Sequence, residues 1–416
     1  MTPTVRNWAG NVVFSPGSVR APRTLTRLQE LVARADHVRV RGAGHSFTAL
    51  TATPGLLLRL GRLPRSVEVD ATEMTAWVSA GTKLGELAPL LHEQGFALRT
   101  LPSLPHVSVA GACATGTHGS GDDNEVLASA VSAVRLVRAD GRLTTLTRDS
   151  ADFPGVAVSL GALGVLTHVR LDLVPTYEVE QHVYEELSWP SLLENHREIF
   201  GCAHSVSVFT DWTRPSAVWV KRRADGPPVD LGWTGARRAV RPRHPVPHLS
   251  AENCTEQLGI PGPWHERLPH FRTGFTPSVG VELQSEYFLP LDHAQDVLRA
   301  LGDLAPVMSP VLQVSEVRTV RGDALWLSPS SRRPSLVVHF TWVLDVDAVT
   351  RVLPEVERAL APWSPRPHWG KLFATPPQVL RTRYDHWSDF QRLRRELDPT
   401  GKFGNPLVES YFPGGD

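Results

Sequence analysis

Between Pro102 and Asn124 the chain reads PSLPHVSVAGACATGTHGSGDDN, and from Val109 to Asn124 it carries almost no bulky side chain. Protein interiors are filled by close-packed side chains, so such a stretch cannot supply a core. Something else must lie against it. A second loop poor in volume, RGAGHSF at 41–47, follows the alternating run HVRVRG, which has the pattern of a strand. Glycines placed after a strand let the backbone approach a ligand, and successive amides there form a concavity suited to an anion. A diphosphate-bearing cofactor held between the two loops satisfies both. No G-x-G-x-x-G opens a helix, so the fingerprint of nicotinamide enzymes is absent.

The surrounding sequence supplies regular elements. Leu25, Leu28, Leu31 and Val32 fall at helical spacing before HVRVRG; TAWVSAG reads as a strand, and Leu84, Leu87, Leu90 and Leu91 as a helix capped by Gly95, with Pro89 an awkward member. Asp140-Gly141 marks a hairpin, and SLGALGVLTHVRLDLVP adds a glycine turn and a further strand ending near Pro175. Beyond about residue 178 the texture changes to aromatic-rich segments separated by proline loops such as RPRHPVPH and GIPGPWHERLPH. A domain boundary is expected there. VLQVSEVRTV and SLVVHFTWVLDVD alternate as strands, and DFQRLRRELDPTGKFGNP reads as a helix stopped by Pro399 and Gly401.

A chain of 416 residues exceeds one ordinary core, so two domains are expected. Lysine plus arginine equal aspartate plus glutamate at 43 each, which gives no net field to draw in nucleic acid or an anionic membrane. No apolar run approaches the roughly 20 residues of a membrane span, and the start MTPTVRNWAGNVVFSPG lacks a secretory pattern, so a cytoplasmic protein is expected. Cys113, Cys202 and Cys254 form no C-x-x-C spacing, and neither a disulfide framework nor a metal site is expected. The only lysines are Lys83, Lys221, Lys371 and Lys402, which makes each worth inspecting.

Side chains two apart on a strand share a face. Glu316 and Arg318 therefore project together, as do His339 and Thr341, and Gln284 and Glu286. Polar pairs amid apolar neighbours are costly on a core face unless they are satisfied. Three such strands side by side would line a sheet with donors and acceptors, as a hydroxyl-rich ligand requires.

RGAGHSF, PSLPHVSVAGACATGTHGSG, SLGALGVLT, HWGKLF and LDPTGKFGNP together resemble the flavoprotein oxidases of the vanillyl-alcohol oxidase type, most closely the bacterial alditol oxidases. The resemblance runs from NWAGN at 7–11 almost to the C-terminus and includes ENCTEQLG and PGPWHERLPHFR in the middle. It implies an α+β, two-domain fold: an FAD-binding domain over 1–178, a substrate domain over 179–380 whose antiparallel sheet covers the flavin, and a segment over 381–416 returning to the first domain. It implies that His45 carries the 8α-methyl carbon of FAD on a ring nitrogen. Arg41, Gly42, Ala43, Gly44, Ser46, Ser103, Ser108, Gly111, Thr115, Gly116, Thr117, His118 and Gly119 would hold the rest of the cofactor, with Val165 near its adenine end. Glu316 and Arg318 would grip the reacting end of a polyol, Ser103 would touch both flavin and substrate, Lys371 would lie beside the flavin and the reacting oxygen, and Thr341 would contact a hydroxyl further along, with His339 and Gln284 as secondary contacts. Pro102 stands where relatives often have alanine, near the flavin edge, and a proline or glycine there accompanies oxygen use. The implied activity is oxidation of the C1 hydroxyl of alditols such as xylitol and sorbitol, with O2 as acceptor and hydrogen peroxide as product, by a monomer without nucleic-acid or membrane partners.

The nearest rival is a sugar-1,4-lactone oxidase or dehydrogenase of the same fold, which shares HWGK. A metal-dependent hydrolase finds only His265 and His270 in HERLPH, spaced H-E-x-x-x-H, with Pro269 against a shared helical face. No G-x-S-x-G elbow supports a serine hydrolase. A flavin- or sugar-binding protein without catalysis is the remaining alternative.

Overall fold

The computed structural model describes residues 4–275 and 281–413. The outermost residues of the first and last expected segments, 1–3 and 414–416, lie outside the described residues. Near the N-terminus three short strands, β1 (Ser18–Arg20), β2 (Val38–Val40) and β3 (Leu56–Leu58), form a parallel sheet in the order β1-β3-β2. Helix α1 (Leu25–Arg34) joins β1 to β2; the Thr24 hydroxyl caps it by accepting the Arg27 N–H, and Leu28 and Val32 form its buried stripe. A crossover of this kind is what parallel strands of one sheet require, and β3 then enters between the two.

An antiparallel sheet follows, built from β4 (Val67–Asp70), β5 (Thr75–Ser79), β6 (Val131–Val137), β7 (Leu143–Thr147) and β8 (Val165–Asp172) in the order β7-β6-β8-β5-β4. The β6–β7 hairpin turns at Gly141, whose φ is +85°. Helix α2 (Leu84–Glu93) accommodates Pro89 and still buries Leu84, Leu87, Ala88 and Leu91. The small-residue stretch forms one short helix, α3 (Val109–Ala114), and otherwise irregular backbone.

The remaining strands make a large sheet, nine-stranded among the described residues. Its central run is β9 (Glu178–Glu185), β11 (Pro215–Arg223), β10 (Ser205–Thr210), β13 (Leu312–Val320), β14 (Ser335–Trp342) and β12 (Leu283–Pro290), in that spatial order and antiparallel throughout. Every residue of β14 is buried, which means that both faces of this sheet are covered. On one face Leu336, Val338, Phe340 and Trp342 join Leu289, Val317 and the stripes of two helices, α4 (Ala294–Asp303) and α5 (Val346–Leu360), in one apolar core. The other face carries the polar partners in the alternation, and they line a cavity. A separate core unites α2, α3 and the β4–β8 sheet with the C-terminal helix α6 (Trp387–Leu397) and Phe412.

Candidate active site

The loop leaving β2 is drawn close to the loop entering α3. A Cβ on Gly42 would lie 2.5 Å from Ser108 Oγ, and one on Gly111 would lie 2.8 Å from the same atom, so both glycines are needed where the loops converge. Gly44 has a φ of +80°, which turns the chain so that His45 faces the cavity. The turn is held by the Trp8 N–H on Gly44 O at 2.7 Å and the Phe47 N–H on Gly370 O at 2.7 Å. Trp8 stacks on the His45 ring at 5.4 Å. Both ring nitrogens of His45 are buried without a hydrogen-bond partner among the described residues. Burial, reinforced by His106, Lys83 and Arg41, pushes this imidazole down to about 4, so it is neutral at physiological pH.

Behind the loop, Arg39 is buried and donates to Leu50 O, Gly161 O at 2.9 Å and Phe403 O at 2.6 Å. It thereby ties the third glycine turn and the C-terminal segment to the same end of the cavity. The cavity measures about 410 Å³ and runs without a break from this end to the β12–β14 face. That size is typical of ligand clefts, roughly 300–1,000 Å³.

Arg41, Gly42, Ala43, Gly44, His45, Ser46, Ser103, Ser108, Gly111, Thr115, Thr117 and His118 all line it. Gly116, Gly119 and Val165 do not. Gly116 packs on Pro329, and Gly119 is pressed against the Leu101 carbonyl, 2.6 Å from where its Cβ would stand. Val165 lies wholly within a small core with Leu28, Val32, Val38 and Phe403, while its neighbours Gly164 and Leu166 reach the cavity. These three positions shape the walls from behind.

At the other end, strand register aligns the polar pairs. Glu286 is opposite His339, His339 is opposite Glu316, and Gln284 is opposite Thr341. All of these, with Arg318 and Lys371, line the cavity. Arg318 donates from Nη2 to Glu286 Oε1 at 2.9 Å and from Nη1 to Ser103 Oγ at 3.2 Å, and stands 3.5 Å from Glu316 Oε1. Lys371 Nζ donates to Glu286 Oε2 at 2.8 Å and to His339 Nδ1 at 2.9 Å, and His339 Nε2 lies 3.2 Å from Thr341 Oγ1. Burial alone would raise the Glu286 carboxyl, but Lys371, His118 and Arg318 together hold it well below the usual carboxylate range. Glu316 is held down in the same way by Arg318 and His270 against its own burial. Burial, with the Lys371 charge beside it, keeps His339 neutral.

Glu286 is thus the hub of the site, a role its sequence position did not disclose. His270 and Lys221 are further members: His270 Nε2 meets Glu316 Oε1 at 2.8 Å, and Lys221 Nζ meets His270 Nδ1 at 2.9 Å. Alternation within β12 signals Glu286; no local pattern signals His270, which follows a proline in a loop. His265 sits apart in a one-turn helix beside His92, and no metal-holding cluster occurs among the described residues.

The arrangement suits a long ligand with an anionic centre at the glycine loops and a hydroxylated partner against the sheet. Residues 16–147 match the FAD binding domain family, and residues 275–411 match the family described as D-arabinono-1,4-lactone oxidase. The chain is 48% identical to the alditol oxidase of Streptomyces sp. over 419 aligned residues, covering 100% of both proteins. It is 28% identical to the L-gulono-1,4-lactone dehydrogenase of Mycobacterium tuberculosis, covering 97% of this chain and 98% of that protein. Among solved structures, cholesterol oxidase from Brevibacterium sterolicum superposes with a TM-score of 0.78 at 15% identity, over 99% of this chain and 97% of that one, which shows the fold alone. With full-length identity at this level, the chain belongs to the alditol oxidase branch of the vanillyl-alcohol oxidase-type FAD flavoproteins.

Proposed function

We propose that this protein oxidises the terminal C1 hydroxyl of alditols such as xylitol and sorbitol to the aldose, using FAD and passing the electrons to O2 to give hydrogen peroxide. The observation that carries the reading is the single cavity joining the glycine loops to a buried sheet face of donors and acceptors. The cofactor end fits FAD on its own terms. Gly42 and Gly111 let the two loops converge on Ser108 along the cavity wall, and the orphaned, neutral His45 ring suits a covalent bond to carbon, because only an unprotonated nitrogen has the lone pair to form it. When bound, FAD supplies the hydride acceptor and the route to O2.

The protein's own residues do the rest. Glu316 is an acceptor for a substrate hydroxyl proton, the neutral His339, whose Nδ1 already accepts from Lys371, presents its Nε2–H, and Thr341 and Gln284 offer neutral partners further along the chain. Arg318 and Lys371 place positive charge beside the position of the reacting oxygen, which favours alkoxide character there. Ser103, held by Arg318, fixes the near end. Pro102 lines the cavity beside Ser103, consistent with oxygen as acceptor.

The same reading divides the chain at about 178 and 380. Leu380 to Phe412 share a core with residues 76–177, a core that also takes in Trp264, Phe288, Trp326 and Trp369; its contacts with 76–177 support a C-terminal segment returning to the cofactor domain. No helix among the described residues is long and apolar enough to cross a membrane. A cytoplasmic monomer belongs to the same reading, and Cys113, Cys202 and Cys254 form no disulfide.

The match of residues 275–411 to the lactone oxidase family favours a second reading, oxidation of sugar lactones. The test is acid precipitation of the purified protein, followed by a peroxide assay of native protein with xylitol and with L-gulono-1,4-lactone. A yellow pellet and peroxide from xylitol are expected. A colourless pellet from yellow protein would remove the covalent role of His45, and peroxide or dye reduction with lactone alone would replace the alditol reading.

A further inference from the structure

Lys221 is fully buried in β11 and does not line the cavity. Buried lysines are rare unless every donor is used. Here the ammonium makes three hydrogen bonds: to Leu268 O, to Pro269 O at 3.1 Å and to His270 Nδ1 at 2.9 Å. While it is protonated, the lysine has three protons and no lone pair, so His270 Nδ1 is the acceptor and the relay belongs to the ammonium form. The ring proton then sits on Nε2, which points at Glu316 Oε1, 2.8 Å away. His270 has no freedom to turn, since Trp219 and Phe209 pack edge-on against it with centroids at 5.1 and 5.6 Å. Its backbone N–H donates to Ser103 O at 3.0 Å, so the same residue braces both sides of the reacting end.

We propose that Lys221 is a positioning residue which, by fixing the tautomer of His270, presents Glu316 to the substrate as an ionised acceptor oriented through its Oε1. This rests on the alditol oxidase reading. His270 holds Oε1, and among the described residues Oε2 makes no hydrogen bond, so that oxygen remains for a substrate hydroxyl on the cavity side. The titratable groups facing the relay are Glu316 and Arg318 from β13, His339 from β14 and Cys254 from the loop packed on β11. Burial lowers the Lys221 ammonium to about 7 against the pull of Glu316, and it lowers His270 to about 4, so the ring is neutral and its tautomer is the quantity being set. Without the ammonium, the ring is free to place its proton on Nδ1. A bare Nε2 lone pair then faces the carboxylate, which responds by taking up a proton or turning away.

The experiment is anaerobic stopped-flow reduction of the bound flavin by xylitol across pH, for wild type, Lys221→Met, His270→Gln and the double variant. Lys221→Met should lower the second-order rate constant about tenfold to a hundredfold, the range for loss of one charge-assisted hydrogen bond. Its acidic limb should move to higher pH. Glutamine at 270 can donate to Glu316 without help from Lys221, so the double variant should recover most of what Lys221→Met loses. Additive losses with an unmoved acidic limb would overturn the proposal and leave Lys221 as a strut for the 268–269 loop. A wild-type flavin that xylitol does not reduce would instead overturn the alditol reading. Should Lys221→Met fail to fold, ¹⁵N-histidine NMR of the wild type decides alone, with His270 assigned by the signal lost in His270→Gln. An Nε2–H tautomer is expected, and an Nδ1–H tautomer refutes the relay.

Discussion

Glu286→Gln is the substitution with the sharpest expected signature. The carboxylate lies within 2.9 Å of Arg318 and 2.8 Å of Lys371, with His118 at 3.3 Å and His339 at 3.7 Å. Glutamine keeps the shape and some of the hydrogen bonds but removes the charge. At an effective dielectric of about 20, a unit charge about 3 Å away is worth about 5 kcal/mol, and one pKa unit is 1.36 kcal/mol. Relaxation and the retained amide contacts reduce this, and a fall of about two units at Lys371 is the working figure. Burial already lowers Lys371, with Glu286 the main group opposing it, so the ammonium should deprotonate at lower pH in the variant than in wild type. The basic limb of the rate constant for flavin reduction should therefore move to lower pH by about two units. Stability should fall by about 3–5 kcal/mol, as for other buried pairs that lose one partner. The pH dependence has a definite sign. Because the folded pKa of Glu286 is depressed, its contribution is fully present above the ordinary carboxylate value and is lost only as pH falls through the depressed one. Wild type and variant should converge only in strong acid. Because loss of Glu286 lowers Lys371 further, the variant should be less impaired at pH 8 than at pH 6. Denaturant unfolding at both pH values and the pH–rate profile check this. An unmoved basic limb together with equal destabilisation at pH 6 and 8 would refute the assignment of Glu286 as counter-charge to Lys371.

Three further outcomes follow from the geometry. His45→Ala should leave any yellow colour in the supernatant after acid precipitation, while wild type carries it into the pellet. Asp323, whose carboxyl accepts the Leu325 N–H and the Ser328 hydroxyl, is pushed up to about 7 by burial, so its folded pKa exceeds the unfolded value and stability falls as pH rises from about 4 to 7. Asp323→Asn should flatten that slope, gaining on wild type by up to about 4 kcal/mol between pH 4 and 8 in denaturant unfolding. Gly119→Ala should cost about 1–3 kcal/mol by overpacking against Thr100 and the Leu101 carbonyl, and calorimetry would register it as a lower Tm.

The sequence made one half of this site far more legible than the other, and the reason is physical. A stretch without side-chain volume must have a partner, and that inference needs no knowledge of tertiary structure: Gly42, Gly111 and Ser108 meet where the small residues predict an approach. Strand alternation likewise placed Glu316 with Arg318 and His339 with Thr341, since a period of two is a local property. What alternation leaves open is which strands are neighbours. β12 pairs with β14 and β14 with β13, and only this order puts Glu286 between two cations. A carboxylate beside one arginine and another beside one lysine would have given two separate pairs. The fold makes one network in which each charge has more than one partner. His270 is further from legibility still, because its place depends on a proline loop and on a lysine four strands away from Gln284 and Glu286. Val165 shows the converse: alternation in β8 assigns its side chain to the core and Leu166 to the cavity side, so the strand pattern there outweighed the position that the family resemblance suggested. Cofactor loops are local and can be read from composition, whereas the substrate face is assembled across strands. Its charge balance therefore belongs to the topology.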